Sequence, residues 1–333
     1  MKYFMVFLIS LAVNMVIIVL ARKYNFMMDC ENSTKPQKFH FAATPRVGGV
    51  SIMAAALFML SDPLGRMILL ASSPIFLIGL FEDISGAVSP KIRLLFMTIG
   101  SVIAVMTLDV LISQIDFLKF PYYIAMLFTL FSLVGVTNSI NIIDGLHGLA
   151  SGASIVALFA LFTVAYNVGD VQLSRLIAVI IIGVCGFFVW VYPWGKIFLG
   201  DGGAYFLGFM LAVFSTLLVN RNEEVSVWFP LAVLIFPIWE VIFSIFRRKV
   251  IRKGDALSAD RLHLHSLLYK RTRFSNSVAS GILLLIYIAY QLLTVHFYKS
   301  SPVLVLFIIA FIIGYHFSYI KLVRFGFSLR NTK

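Results

Sequence analysis

The chain has 333 residues, 60% of them apolar and 13% charged, with a mean hydropathy of +0.96. Soluble domains carry about 25% charged residues and roughly 45–50% apolar ones. The balance here excludes a soluble enzyme, a disordered chain and a disulfide scaffold, and makes lipid the surrounding solvent. Apolar runs then predict an all-α polytopic membrane fold, a single domain over 1–333, with spans near 3–20, 46–60, 65–81, 94–112, 122–140, 148–166, 174–191, 203–220, 227–246, 276–297 and 301–320. Lys2 precedes the first run, but no small-residue cleavage pattern follows, so that run reads as a retained helix. The second and third runs share one stretch interrupted by Ser61-Asp62-Pro63-Leu64-Gly65-Arg66, a turn signal that makes them two short helices or a re-entrant hairpin. Cys30 and Cys185 have no metal-like spacing and read as unpaired thiols.

The 27 Lys and Arg against 15 Asp and Glu leave a net charge of +12. In a membrane chain this is first a question of loop asymmetry, not of nucleic acid, which is not expected as a partner. With eleven spans and the N-terminus outside, 21 of the 27 basic residues fall on inner loops or boundaries. Only Lys2, Arg66, Lys119, Arg175, Arg221 and Lys299 remain outside. The positive-inside rule therefore places the C-terminus in the cytoplasm. No internal repeat is visible, which weighs against inverted-repeat transporters.

Candidate chemistry lies on the inner face, in loops near 35–49, 82–93, 138–149, 192–203 and 247–275. The first acidic cluster is Glu82-Asp83, with Lys91 and Arg93 following. Adjacent carboxylates repel, and a divalent cation or cationic partner would relieve them. Asn138, Asn141 and Asp144 are spaced by three, which puts them on one side of a helical turn. Gly145 and Gly148 then break that helix and would let a ligand approach the backbone. Gly200-Asp201-Gly202-Gly203, after Lys196, offers a carboxylate and exposed backbone N–H groups, a Mg²⁺-phosphate corner. In the basic loop, His263 and His265 alternate and would face one way from an extended segment. Without further ligands they suit phosphate contact or proton handling better than zinc. His40, His296 and His316 read as structural. Glu240, inside the ninth span, reads equally as an ion-pair partner of Arg247 and Arg248 or as part of the site's rim.

The motifs TPRVGG (44–49), FEDISGAVSPKIR (81–93), NSINIIDGLHGLASG (138–152), GKIFLGDGGAYFLG (195–208) and RR…SADRLHLHSLL (247–268), in that order, resemble the polyprenyl-phosphate N-acetylhexosamine-1-phosphate transferases, glycosyltransferase family 4. These are bacterial inner-membrane enzymes that start cell-surface glycans, distantly related to the phospho-MurNAc-pentapeptide translocase. The resemblance implies eleven spans with a cytoplasmic active site. It also implies transfer of N-acetylhexosamine-1-phosphate from a UDP-sugar, UDP-GlcNAc being the commonest donor, to polyprenyl (undecaprenyl) phosphate, with release of UMP. By the same resemblance Mg²⁺, or Mn²⁺ in its place, is the cofactor and Asp201 its ligand, with Asp83 beside it. Glu82, Asp83, Asp144, Asp201, His263 and His265 become candidate catalytic residues. Arg46, Lys91, Arg93, Asn138, Asn141, His147, Lys196 and Arg261 become candidate substrate contacts.

This chain departs from the family pattern at Glu82 (usually Asp), His147 (usually Asp), Ser266 (usually a third His) and Glu240 (usually Asp). The partners implied are the lipid phosphate, the UDP-sugar and the membrane, and a homodimer is compatible with all of these. The rival is a transporter of an anionic lipid or nucleotide sugar, which would need polar groups on both faces and at the midplane; here they gather on one face.

Overall fold

A computed structural model describes residues 1–24, 28–29, 44–251, 262–272 and 274–328. Helix α1 (Lys2–Tyr24) is followed by a two-residue pairing of β1 (Met28–Asp29) with β2 (Thr44–Pro45). Then come α2 (Gly49–Ala56), α3 (Pro63–Ser85), α4 (Pro90–Thr107), the small hairpin β3 (Gln114–Ile115) and β4 (Leu118–Lys119), and α5 (Tyr122–Ile143). The chain continues through α6 (Leu149–Asn167), α7 (Val171–Val191), α8 (Gly200–Arg221), α9 (Phe229–Val233), α10 (Ile235–Phe246), α11 (Leu264–Arg271), α12 (Asn276–His296) and α13 (Ser301–Ser328).

A helix stands at each of the eleven apolar runs, and among the described residues nine are long and apolar enough to cross a membrane. The two that are not correct the sequence reading. The second run is α2 continued by a 3-10 turn, Leu57–Ser61, roughly 22 Å in all against a bilayer core of about 30 Å. The third is not short: α3 has 23 residues, because Asp62 caps it through the amides of Leu64 and Gly65 and Pro63 opens it.

The ninth run is two helices, α9 and α10, meeting at Leu234. Pro237 has no N–H to give Val233, four residues earlier. The orphaned Val233 carbonyl instead accepts from the Tyr287 hydroxyl and from Gln291 Nε2 (2.7 Å) on α12. A polar group freed inside a membrane fold must find such a partner.

Helix α8 is the axis. Its side chains from Gly200 to Leu218 are all buried, and it packs most extensively against α3 and α5, with α2 and α6 completing the wall. Close packing needs small residues. A β-carbon on Gly79 would come within 2.5 Å of Gly202, and one on Gly49 within 2.3 Å of Gly203. The glycines of the GDGG run therefore let two helices close on α8. They place the N-terminus of α8, with Asp201 on it, at the centre of one end of the bundle. A cavity of about 750 Å³ lies toward the other end, lined by α8 residues from Ala212 to Asn220. It begins roughly 16 Å along that helix from Asp201.

Candidate active site

Three backbone bonds tie two of the predicted loops together. Phe198 N–H donates to Pro45, Gly48 to Phe198 and Gly49 to Leu199. This ladder brings Arg46 to the head of α8, where its Nη2 lies 3.6 Å from Asp201 Oδ1. From the start of α4, Arg93 Nη1 reaches Asp201 Oδ2 at 2.8 Å. Tyr205, one turn along α8, completes the cluster: its hydroxyl is 3.2 Å from the same oxygen and 3.1 Å from Arg93 Nη1. The sequence reading missed Tyr205. Its signal was the four-residue spacing from Asp201, which puts both on one helix face. Asp201 is 8% exposed, whereas the side chains of Arg46 and Arg93 are 30% and 23% exposed. The carboxylate sits inside and its cations sit at the mouth.

Asp83 stands just behind. Its Oδ1 accepts from the Asp201 amide (2.8 Å) and its Oδ2 from the Gly202 amide (2.9 Å). A side chain from α3 thus caps α8, adding the attraction of a carboxylate for a helix N-terminus. Two expectations change. The backbone N–H groups of Asp201 and Gly202 are not exposed to a ligand, because Asp83 occupies them. Asp83 also has one lone pair of each oxygen committed, which leaves a metal only the second.

Glu82 Oε2 accepts from Val88 N–H at 2.8 Å, closing the turn between α3 and α4. The adjacent acidic pair is therefore parted onto different backbone donors, which relieves its repulsion. Lys91 is exposed and outside the Asp201 cluster.

Asn138 and Asn141 project from the last turns of α5, and Asp144 caps it. All three are partly exposed, and their side chains make no hydrogen bond with another described residue. Burial pushes Asp144 up to about 7, with Arg46 opposing and Asp201 reinforcing the shift, so these two charges face it.

Gly145 and Gly148 do break the helix, but their open sides are filled by protein. A β-carbon at Gly145 would come 2.6 Å from His265 Nε2, and one at Gly148 2.9 Å from Tyr192. The room the sequence suggested for a ligand belongs to His265 and Tyr192.

His147 lies between Asn276 Oδ1, which accepts its backbone N–H at 2.6 Å, and the Pro193 carbonyl, 3.2 Å from its Nδ1. Burial lowers its pKa, and the Pro193 bond opposes that. Lys196 is exposed between two indoles, 5.4 Å from Trp190 and 5.2 Å from Trp194.

Glu240 is 1% exposed. Its partner is not an arginine. Its Oε2 is 3.1 Å from His263 Nδ1, its Oε1 accepts Leu264 N–H at 3.1 Å, and His265 Nδ1 stands 3.7 Å from Oε1. Arg247 turns away to the Leu262 carbonyl (2.7 Å) and the Tyr319 hydroxyl (3.1 Å); Arg248 bonds back to the Ser244 carbonyl. The histidine rings stack with centroids 5.4 Å apart and planes 10° apart. They do so across an extended His263 and the start of α11, not along one strand. Arg261 and His40 lie outside the described residues.

The carboxylates gathered here, Asp83, Asp144 and Asp201, are hard oxygen donors beside Arg46 and Arg93. That donor set fits a divalent cation. Among the described residues no three His, Cys, Asp or Glu side chains converge as a metal cage. Asp201 and Asp83 are the carboxylates that could hold such an ion, since a cation like Mg²⁺ takes one or two carboxylates and keeps the rest of its shell for phosphate and water.

Residues 66–219 match the model of glycosyl transferase family 4, a stretch from α3 to α8 that holds the Asp201 cluster except Arg46. The chain is 30% identical over 298 residues, 86% of its own length and 85% of the relative's, to the undecaprenyl-phosphate alpha-N-acetylglucosaminyl 1-phosphate transferase of Thermotoga maritima. It is 25% identical over 279 residues, 79% of its length and 76% of the relative's, to the probable undecaprenyl-phosphate N-acetylglucosaminyl 1-phosphate transferase of Bacillus subtilis.

Proposed function

The chain belongs to glycosyl transferase family 4, and on that premise we propose that it transfers N-acetylglucosamine-1-phosphate from UDP-N-acetylglucosamine to undecaprenyl phosphate. The lipid phosphate oxygen attacks the sugar-linked phosphorus, the phosphoanhydride bond breaks, and UMP leaves. The product is a diphosphate-linked sugar on the lipid. The observation that carries the reading is the Asp201 hub: one inner carboxylate holding two arginines from separate loops at the mouth.

Two anions must meet for this reaction, so catalysis is chiefly the positioning and neutralisation of phosphate charge. Arg46 and Arg93 are placed to exchange their bond with Asp201 for phosphate oxygens, and an arginine fork suits a phosphate better than any other side chain. Asp201 would hold Mg²⁺, with Asp83 fixing the backbone beneath it; the ion, when bound, supplies charge neutralisation at the diphosphate. Asn138, Asn141 and Asp144 offer donors and acceptors to the nucleotide. Lys196, between its two tryptophans, stands at the rim. The site lies at the end of the bundle that carries most of the Lys and Arg, which supports a cytoplasmic active site in a bacterial inner membrane.

The test is purified protein with undecaprenyl phosphate, Mg²⁺ and a panel of UDP-N-acetylhexosamines. UMP release with UDP-GlcNAc preferred is expected. Release of UDP, or no nucleotide release with any donor, contradicts the reading.

A further inference from the structure

We propose that Glu240 is a positioning residue: a single buried carboxylate that holds His263 and His265 as one stacked pair, turning both Nδ1 atoms inward and the His265 Nε2 toward the turn that carries Asp144. The inference rests on the phosphoryl-transfer reading above and adds a residue to it. Three observations carry it.

Glu240 is almost wholly buried on α10, yet among the described residues its charge has no arginine or lysine in direct contact. A buried carboxylate without compensation is very costly, and the groups that compensate it are the two imidazoles and the Leu264 amide, with the Tyr315 hydroxyl also facing it. The carboxylate also accepts a backbone N–H from the residue between the two histidines. It therefore fixes the start of α11 together with the rings. Finally, the ring atoms opposite Glu240 point somewhere. The His265 Nε2 atom packs on Gly145, the residue after Asp144, so the carboxylate braces the turn that carries Asp144 through His265. His263, at the N-cap of α11, has its Nδ1 held and its Nε2 left for a phosphate oxygen.

A ring whose Nδ1–H donates to a carboxylate has its tautomer and orientation set, and its positive charge stabilised if it takes a second proton. Glu240 thus does for His263 what a third member does in an acid–base relay, without touching the substrate.

The experiment uses the full-length protein in detergent or nanodiscs. Glu240→Gln keeps the shape but offers an amide N–H where His263 now donates. UMP release is expected to fall about 100-fold in kcat, the size of losing one oriented donor, while KM for UDP-GlcNAc changes less than about threefold. Because Glu240 acts through His263, adding Glu240→Gln to His263→Asn should cost less than about a further threefold. Long-range ¹H–¹⁵N correlations of ¹⁵N-histidine-labelled protein should show His263 as the Nδ1–H form in the parent and not in Glu240→Gln.

A Glu240→Gln protein with kcat within threefold of the parent, fully multiplicative effects in the double variant, or unchanged histidine tautomers overturns the proposal. If Glu240→Gln does not fold, the same cycle is run with Glu240→Asp, which keeps the charge and shortens the reach by one methylene. A parent protein that releases no UMP sinks the transferase reading instead; the tautomer measurement then still decides the role of Glu240.

Discussion

Asp201 and Glu240 are both buried carboxylates at the same end of the bundle, and they are compensated in opposite ways. Asp201 is met by two arginines that remain partly exposed and by a tyrosine. Glu240 is met by two histidines and an amide that are buried with it. Partly exposed guanidiniums on long side chains can change partners at little cost, so under the proposed reaction the Asp201 hub would hand its cations to phosphates. Buried imidazoles cannot leave, so the Glu240 hub sets geometry and does not exchange. A ligand-binding hub and a positioning hub can therefore be told apart by the exposure of their counter-ions, even when the two carboxylates are similarly buried.

That contrast can be broken by substitution. The largest effect is expected at Asp201→Asn: loss of at least about 1000-fold in UMP release with the melting temperature retained, since the hub loses the charge that a metal and both arginines use. A variant within tenfold of the parent would remove Asp201 from the chemistry.

Next is Arg93. Arg93→Lys keeps a cation but loses the fork, and should cost about 10- to 100-fold in kcat/KM, more than Tyr205→Phe, which removes a supporting hydroxyl and should cost under about tenfold. The reverse order would mean that Tyr205, not Arg93, is the exchanging group.

Gly145→Ala sharpens the other hub. Its β-carbon meets His265 Nε2 at 2.6 Å, so it should displace the Asp144 turn, lower activity about tenfold and destabilise the fold by about 1–3 kcal/mol. The check is thermal unfolding alongside turnover.

The smallest effect concerns stability. Burial pushes Asp144 up to about 7, from an ordinary carboxylate value of about 4. Between those values the unfolded chain has lost the proton that the folded chain keeps, so stability falls as pH rises from about 4 to 7 and the loss is complete above 7. Asp144→Asn should therefore unfold at a higher temperature than the parent above pH 7, with the gain vanishing as the pH falls toward 4.

Much of the fold was legible because lipid demands long apolar runs, and the sequence shows them directly. What escaped was local. Pro237 marked the break of the ninth run, but only the structure shows that Tyr287 and Gln291 take up the Val233 carbonyl. The short second run was visible as a turn signal, whereas the full length of α3 depended on capping by Asp62.

In the site, several neighbours of the candidate residues were not legible. Glycines at 145 and 148 read as room for a ligand; they are room for His265 and Tyr192, because a missing side chain looks the same in sequence whichever neighbour fills the space. Asp83 read as a metal partner, yet its oxygens cap α8, a contact between residues 118 positions apart that no spacing announces. Glu240 read equally as a partner of Arg247 and Arg248, which are near in sequence, or as part of the site's rim; the chain returns His263 and His265 to it from beyond the 252–261 segment.

The most direct test of the central claim follows the two phosphorus atoms of the donor. UDP-GlcNAc labelled with ³²P on the sugar-linked phosphate is incubated with the purified protein, undecaprenyl phosphate and Mg²⁺, and the label is partitioned between organic and aqueous phases. Sugar-1-phosphate transfer predicts that the label enters the lipid while unlabelled UMP accumulates in equal amount. Label remaining in water as UDP would show transfer of the sugar alone, and would contradict the account.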